Sequence, residues 1–172
     1  MEIRLALPEE QEDVEALGMK DRHTKDFKHL WRRFGNWEGT GVPIVAWHDR
    51  VVAFHAVTFG SRNHYANSYY LYIHENFRRL GIGGKLVEYM LYRAQLLSCE
   101  RLKMKTQFGS PGKEFWEGFG LRPFAKDDVQ HIWDVDIRGV STIKQLMEPD
   151  RDQMPIPFME MQKYFQKGAV LL

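Results

Sequence analysis

The spacing of apolar and charged positions predicts that the chain begins with one strand and two helices. The two classes alternate over residues 2–7, which is typical of a strand, and Pro8 then favours the first turn of a helix that ends near Gly18. Apolar residues recur at helical spacing over 25–34, and Gly35 follows as a stop signal. This region therefore combines both kinds of secondary structure, as a mixed α/β fold does.

Three strand patterns come next, at 43–47, 51–59 and 68–74. The link His48-Asp49-Arg50 is short enough to join the first two strands as a hairpin. The third pattern is apolar or aromatic at nearly every position, which is typical of a central strand that is covered on both faces.

The second half of the chain continues to mix helix and strand. Leu86 and Met90 belong to a helical stripe that follows the glycines at 81–84. The remaining patterns predict three further elements: a strand at 101–107, a short helix at 113–118 and a strand at 129–137. We therefore expect one α/β domain over 1–137. Residues 138–172 form a less regular appendage with an apolar end, which we expect to pack on the core or at a homodimer contact.

Composition narrows the class of protein. A chain of 172 residues with 44% hydrophobic and 13% aromatic residues is long enough for one domain and buries a substantial core. Lys and Arg number 24 against 23 Asp and Glu, so no global field attracts nucleic acid or anionic lipid. We expect neither partner, and any anionic ligand must be bound locally.

Cysteine and histidine usage restricts the chemistry further. Cys99 is the only cysteine, which excludes an internal disulfide and fits a reducing compartment. The seven histidines show no metal-binding spacing, so no metal site is expected. No signal peptide or run of about 18 apolar residues is recognisable, and we expect a soluble cytoplasmic protein.

The most informative segment is 71–85, where a buried strand pattern runs through a glycine-rich turn into an amphipathic helix. The first N–H groups of such a helix have no intrahelical acceptor, and with the helix dipole they form a phosphate site. A dinucleotide fingerprint fails because Leu86 stands where the third glycine is required. A P-loop fails because Leu86 follows Gly84-Lys85 and Arg79 replaces the upstream glycine. A plain strand-to-helix turn is the remaining structural alternative.

The pattern Arg-x-x-Gly-x-Gly is present at 78–83, and a second signature, Phe-Trp-Glu-Gly-Phe-Gly-Leu, follows at 115–121. Together they resemble the GNAT superfamily of N-acyltransferases. The resemblance implies a mixed, mostly antiparallel central sheet with helices on both faces. It also implies acetyl-CoA, or another acyl-CoA, as cosubstrate, and a small-molecule or peptide amine as acceptor.

The resemblance also implies how the cosubstrate is held. Backbone N–H groups over 79–84 would bind the pyrophosphate, Arg78 would fix the loop, and the strand over 71–73 would pair with the pantetheine amides. The Ile73 N–H would also stabilise the oxyanion of a tetrahedral intermediate. The full set of expected cofactor-binding residues is Leu71, Tyr72, Ile73, Arg78, Arg79, Leu80, Gly81, Ile82, Gly83, Gly84, Lys85 and Trp116.

Transfer in this family is direct, so Cys99 is interpreted as an inert thiol. The attacking amine must first lose a proton, because an alkylammonium titrates near pH 10. The candidate bases are Glu75, His74 and His55. Glu75 and His74 are equally plausible as loop-surface residues, and a histidine in the apolar setting of His55 is more often a satisfied core histidine.

The second signature departs from the family at Trp116, where a tyrosine usually protonates the departing thiolate. Tryptophan has no acidic proton to donate. Tyr69, Tyr70 or Tyr72 would have to substitute, although strand tyrosines more often serve packing. The alternative function is therefore a catalytically weak or inactive acyl-CoA-binding or protein-interaction module on the same fold. Trp37 and Glu38 are expected near the acceptor.

Overall fold

The computed structural model describes residues 1–20, 43–60, 64–148, 162 and 165–172. The strands with described bounds are β1 Glu2–Leu5, β2 Ile44–Trp47, β3 Val51–Gly60, β4 Tyr65–Ile73, β5 Arg101–Gln107, β6 Ala125–Lys126, β7 Gln130–Asp136 and β8 Val170–Leu171. The helices are α1 Gln11–Gly18, α2 Ile82–Leu96, α3 Gly112–Glu117 and α4 Ile143–Leu146, with 3-10 turns at Pro8–Glu10 and Glu75–Phe77.

Most predicted elements are present within a few residues of their expected bounds. The largest difference is in β4, which begins at Tyr65 rather than at residue 68, because its first residues pair with both β3 and β5. The predicted helix over 25–34, and the expected acceptor contacts Trp37 and Glu38, lie outside the described residues.

The strands form a single sheet in the order β1-β2-β3-β4-β5-β7-β6-β8. Every neighbouring pair is antiparallel except β4 and β5, which run parallel. The expectation of a mixed, mostly antiparallel sheet is confirmed. The long connection between β4 and β5 contains α2, as a parallel crossover requires.

Both faces of the sheet are covered by helices. Successive side chains of a strand point to opposite faces, and β3 accordingly places Phe54 against Val14 of α1 but Val57 in the larger cluster with Leu86 of α2. That larger cluster also contains the fully buried Trp133. Burying each aliphatic side chain of this kind stabilises the fold by about 1.5–3 kcal/mol.

The described part of the C-terminal segment contributes to the same sheet and core. Val140 and Leu146 are each 2% exposed and belong to the cluster beneath α2. β8 pairs with β6 and forms an edge of the sheet, and its Val170 and Leu171 are more than half exposed.

A carboxylate ties the first strand to the first helical turn. The Arg4 guanidinium donates two hydrogen bonds to Glu10, at 2.7 and 2.6 Å, and the Leu7 N–H donates a third at 2.7 Å. The hydrogen bond from Arg4 is the main cause that lowers the pKa of Glu10 below its ordinary value of 4.5.

Replacing Glu10 with glutamine is expected to lower the free energy of unfolding at pH 7 by about 1–3 kcal/mol, since the Arg4 guanidinium loses its ionic partner. The folded pKa of Glu10 lies below the unfolded value, so its contribution is present above about pH 4.5 and is lost as the pH falls through the folded pKa. Urea unfolding should show a gap between wild type and variant that narrows from pH 7 to pH 3. The exposed Glu9→Gln is the control, and a Glu10→Gln gap that is equal at both pH values would contradict the assignment.

Candidate functional site

A gap opens in the middle of the sheet between β4 and β5. These parallel strands pair only over 65–68 and 101–104. Beyond Ser68, β4 continues along β3 and β5 continues along β7. The gap holds a cavity of about 660 Å³ that is lined by both strands and by α3. A cavity of this size lies within the range of sites that bind small molecules and cofactors.

A β-bulge in β4 accounts for the separation of the strands. The register with β3 shifts between Ala56, which faces Tyr70, and Val57, which faces Ser68, so Tyr69 is the extra residue on β4. A bulge bends its strand and increases the local twist. β4 therefore turns away from β5 directly after Ser68, where their pairing ends.

The gap exposes backbone groups of β4. The His74 N–H donates to the Val52 carbonyl of β3 at 2.9 Å, and hydrogen-bonded pairs alternate along antiparallel strands. The register therefore directs the backbone of Tyr72 toward β3, and the N–H groups of Leu71 and Ile73 into the gap. Tyr72 is also among the residues that line the cavity. Because its backbone faces β3, the expected pairing with the pantetheine falls to Leu71 and Ile73, and this pairing stays a prediction.

The glycine-rich turn leads directly from β4 into α2. Gly81 caps the helix with a left-handed φ of 74°, which glycine adopts without strain, and Arg79 also has a positive φ of 62°. The Lys85 N–H donates to the Gly81 carbonyl at 3.2 Å, so the N–H groups of residues 82–84 have no acceptor within the helix. The first turn of α2 carries no acidic residue. This end of the helix is therefore suited to bind an anion.

Gly83 allows α2 to pack closely on α3. A Cβ atom at this position would lie 2.7 Å from Cε2 of Phe115 and 3.3 Å from Cδ1 of Ile73. A Cβ at Gly84 would meet only Cδ1 of Ile143, at 3.2 Å. The two sequence signatures, at 78–83 and 115–121, thus meet in one contact beside the cavity.

Arg78 connects the turn to the end of β4. Its Nε–H donates to the Ile73 carbonyl at 3.0 Å, and its guanidinium carbon lies 5.7 Å from the centroid of the Tyr72 ring. Arg78 also lines the cavity. Its role in fixing the loop for a ligand stays a prediction.

Comparison with known protein families identifies the chain. A model of the acetyltransferase (GNAT) family matches residues 7–120, which include the strand, the glycine-rich turn, the first signature and all but the last residue of the second. The chain belongs to the GNAT acetyltransferase family. No curated protein matches it.

Solved GNAT structures share the fold at low sequence identity. An aminoglycoside 6′-acetyltransferase type Ii has a TM-score of 0.67 at 15% identity, with 80% of this chain and 97% of that chain covered. The PaiA N-acetyltransferase of Thermoplasma acidophilum, in complex with coenzyme A, has a TM-score of 0.65 at 14% identity, covering 78% and 98%. The ribosomal-protein-S18-alanine N-acetyltransferase of Escherichia coli has a TM-score of 0.64 at 10% identity, covering 79% and 93%.

None of the three candidate bases lines the GNAT cavity. Glu75 is exposed at the start of its 3-10 turn, and His74 caps that turn by accepting a hydrogen bond from the Asn76 N–H at 3.3 Å. His55 is fully buried, and its Nε2 lies 2.8 Å from Oγ of Ser68. Burial lowers the pKa of His55 to about 3, so the ring is neutral at physiological pH. The identity of the base stays a prediction.

Trp116 does line the cavity, as expected of a residue in the second signature. Its ring lies 5.1 Å from that of Phe115 and 6.4 Å from that of His55, and the side chain is 4% exposed. Cys99 lies in the core outside the cavity lining, and burial raises the pKa of its thiol. Its position fits the interpretation as an inert thiol.

Three polar groups in the cavity wall carried no functional signal in the sequence. In the sequence, Ser68 is only the first residue of the strand predicted at 68–74. The Oγ1 atom of Thr106 and the Nε1 atom of Trp133 are buried in the wall without a hydrogen-bond partner among the described residues. Strand alternation places both side chains on the α2 face, beside Met104. They became recognisable only through the pairing of β5 with β7.

Metal and membrane signals are absent from the part of the chain that the structure describes. Within residues 1–20, 43–60, 64–148, 162 and 165–172, no three His, Cys, Asp or Glu side chains are placed to hold a metal ion. Over the same ranges, no helix combines the length and apolar character needed to cross a membrane.

Proposed function

We propose that this GNAT protein transfers an acetyl or other short acyl group from acyl-CoA to an amine by direct attack. The observation that carries the proposal is the gap between β4 and β5, which opens beside the free N–H groups at the start of α2. A long anionic thioester such as acyl-CoA fits this arrangement. Its phosphate end needs an anion site, and its thioester end needs a narrow cleft with backbone hydrogen-bond donors.

The phosphate end of acyl-CoA would lie against the turn over 79–84. Three N–H groups at residues 82–84 and the positive end of the α2 dipole face the pyrophosphate there. Arg79 and Lys85 supply nearby positive charge. Arg78 holds the turn on β4 by its hydrogen bond to the Ile73 carbonyl, which fixes the position of the loop relative to the cleft.

The pantetheine arm would run along β4 and complete the missing strand pairing. The N–H groups of Leu71 and Ile73 point into the gap, where amide carbonyls of the arm can accept from them. An N–H group beside the thioester also stabilises the oxyanion that forms when the amine attacks, and Ile73 is the proposed donor. Preorganised donors of this kind are among the largest contributions to acyl transfer.

The acceptor is proposed to be an amine of a small molecule or a peptide. Two of the similar structures are an aminoglycoside acetyltransferase and an alanine N-acetyltransferase of a ribosomal protein, so the same fold serves both classes in those proteins. The amine must be deprotonated to attack. With no candidate base in the cavity lining, Glu75 or His74 would act through water.

An acyl-CoA-binding module without turnover is the second candidate function. Two observations favour it: Trp116 has no acidic proton, and Glu75, His74 and His55 all lie outside the cavity lining. A thiol has a pKa near 8.5 and leaves as the thiolate more readily than an alkoxide, so loss of the acid weakens catalysis without excluding it.

Two measurements on the purified protein separate these functions. Calorimetric titration with CoA and acetyl-CoA should give a dissociation constant in the micromolar range, and thiol release should depend on an added amine from a panel of peptides, polyamines and aminoglycosides. Binding without amine-dependent thiol release would favour the binding module. Absence of binding at millimolar CoA would contradict both.

Arg78→Ala is expected to raise the dissociation constant for CoA roughly tenfold, because the turn loses the hydrogen bond that anchors it to β4. Arg78→Lys is the matched control, since it keeps the charge but replaces the planar guanidinium, which donates to Ile73 through Nε, with a single ammonium at the end of the side chain. Both variants should bind CoA with similarly reduced affinity in calorimetric titrations. Wild-type affinity in Arg78→Lys would instead show that a positive charge at residue 78 is sufficient and that the guanidinium geometry is not required.

A further inference from the structure

The charged residues that line the cavity are all basic. Among the described residues of the lining, Arg78, Lys103 and Lys105 carry charge, and no aspartate, glutamate or histidine is present. A protein with a net charge of only +1 therefore concentrates positive charge at this site. Such a lining attracts anions and disfavours a substrate that brings several positive charges.

Two of these cations lie at the end of the cavity that is remote from the phosphate site. Lys103 is within the parallel pairing of β4 with β5, and Lys105 follows directly after that pairing ends. The pyrophosphate is proposed to lie at residues 82–84, past the opposite end of β4. Ile73, the proposed neighbour of the thioester, is five residues from Ser68, where the pairing ends, or roughly 16 Å along a strand. The phosphates of acyl-CoA therefore do not account for positive charge at the two lysines.

Both lysines point to the α1 face of the sheet. Leu102 and Met104 are buried in the cluster beneath α2. Because side chains alternate along a strand, Lys103 and Lys105 lie on the opposite face. The two ammonium groups thus face the part of the gap that α2 and α3 do not cover.

The α1 face is the more open side of this end of the cavity. On the α2 face, Trp116 and Trp133 are 4% and 0% exposed, so the wall there is tightly packed. On the α1 face, Tyr70 and Tyr72 line the cavity and are only partly buried. An acceptor that approaches the thioester from this face passes the two tyrosine rings and meets Lys105.

Lys105 is the cation that has its charge available for a ligand. The Nζ atom of Lys103 lies 3.8 Å from Oδ2 of Asp134 and 3.4 Å from the centroid of the Tyr65 ring. Lys105 is exposed and makes no hydrogen bond or ion pair with a described residue. Its charge acts on Asp127, but that carboxylate already accepts three hydrogen bonds within its own turn.

We propose that Lys105 is a specificity-determining residue that binds an anionic group, a carboxylate or a phosphate, on the amine acceptor. The inference rests on the proposed function and narrows its acceptor class to amines that carry a negative charge. The anionic group lies against Lys105 where β4 and β5 separate, and the amine faces the thioester beside Ile73. Several bonds therefore separate the two groups in a good acceptor. Diamines, polyamines and aminoglycosides bring a second cation to the same lysine and are poor acceptors.

The acceptor test compares three amines of equal chain length, 6-aminohexanoate, 6-aminohexanamide and 1,6-diaminohexane, whose far ends are negative, neutral and positive. Thiol release from acetyl-CoA by the wild type should give a kcat/KM for the carboxylate roughly tenfold above that for the amide, chiefly through KM, with the diamine lowest. Raising NaCl from about 0.05 to about 0.5 M should narrow the difference. The shorter glycine should lose the advantage over its amide, and 6-aminohexyl phosphate shows whether a phosphate replaces the carboxylate.

Variants of Lys105 assign the preference to this residue. Lys105→Gln should raise KM for 6-aminohexanoate to about the value for the amide, a change of roughly tenfold, whereas Lys105→Arg keeps the charge and should retain most of the preference. Lys126→Gln is the matched control, because Lys126 is an exposed lysine outside the cavity lining, and it should retain the full preference.

The same assay separates this inference from the proposed function. Equal kcat/KM values for the three amines in the wild type, or a carboxylate preference that persists in Lys105→Gln, would overturn the role of Lys105 and leave acyl transfer intact. Absence of thiol release with every amine would overturn the proposed function, and the inference with it.

Discussion

Gly83→Ala is expected to raise the dissociation constant for CoA by roughly 10–100-fold and to lower the free energy of unfolding by about 1–3 kcal/mol. The added Cβ would lie 2.7 Å from the ring of Phe115. That ring is half-buried and packs against Trp116 and Phe119, whose centroids are each 5.1 Å away, so its room to move aside is limited. The start of α2 must shift instead, and the anion-binding N–H groups shift with it.

Gly84→Ala is the matched control for this prediction. It introduces the same methyl group one residue later in the same helix, and alanine favours a helix over glycine by about 1 kcal/mol in both variants. Its Cβ would meet only the end of the flexible Ile143 side chain, at 3.2 Å. Calorimetric CoA titration and urea unfolding should show a large loss for Gly83→Ala and little change for Gly84→Ala. Equal CoA affinities in the two variants would show that close packing on Phe115 is not the reason for glycine at residue 83.

Leu146→Ala is expected to lower the free energy of unfolding by about 2–5 kcal/mol. Leu146 is 2% exposed in the cluster beneath α2, although it belongs to the segment assigned as an appendage. For a chain of this length, the loss corresponds to a decrease in Tm of about 4–20 °C. We therefore propose that 138–148 completes the core of the domain instead of resting on it as a separable element.

The neighbouring Met147 provides the control for Leu146. Its side chain is 49% exposed, so Met147→Ala removes a similar volume from the surface and should change Tm by no more than about 2 °C. Thermal unfolding followed by circular dichroism compares the two variants directly. Similar small shifts for both would show that Leu146 adds little to the core and would favour a separable appendage.

Sequence patterns were sufficient for elements whose signal is local. Alternation over 101–107 gives β5 with its bounds, and the helical stripe at Leu86 and Met90 gives α2. Gly81 at the start of α2 adopts a left-handed conformation that its residue type permits. These features depend on residues that are close together in the sequence, and the spacing of apolar residues records this local order.

The geometry of the cleft depends on contacts between distant parts of the chain, and local patterns do not report these. The bulge at Tyr69 is defined only by the register against β3, and the parallel pairing of β4 with β5 stops at Ser68 because of it. The resemblance implies a pyrophosphate-binding N–H at Gly83, but not the close packing of this residue on Phe115, which lies thirty-two residues later in the chain. The pairing of His55 with Ser68 also requires adjacent strands in a fixed register.

The central claim is that acyl-CoA occupies the gap between β4 and β5 with its pyrophosphate on the turn before α2. A crystal structure of the protein with acetyl-CoA tests it most directly. The account predicts pyrophosphate oxygens within hydrogen-bond distance of the N–H groups at residues 82–84, and the thioester carbonyl beside the N–H of Ile73. Acetyl-CoA bound elsewhere on the protein, or a gap that stays empty at saturating acetyl-CoA, would contradict it.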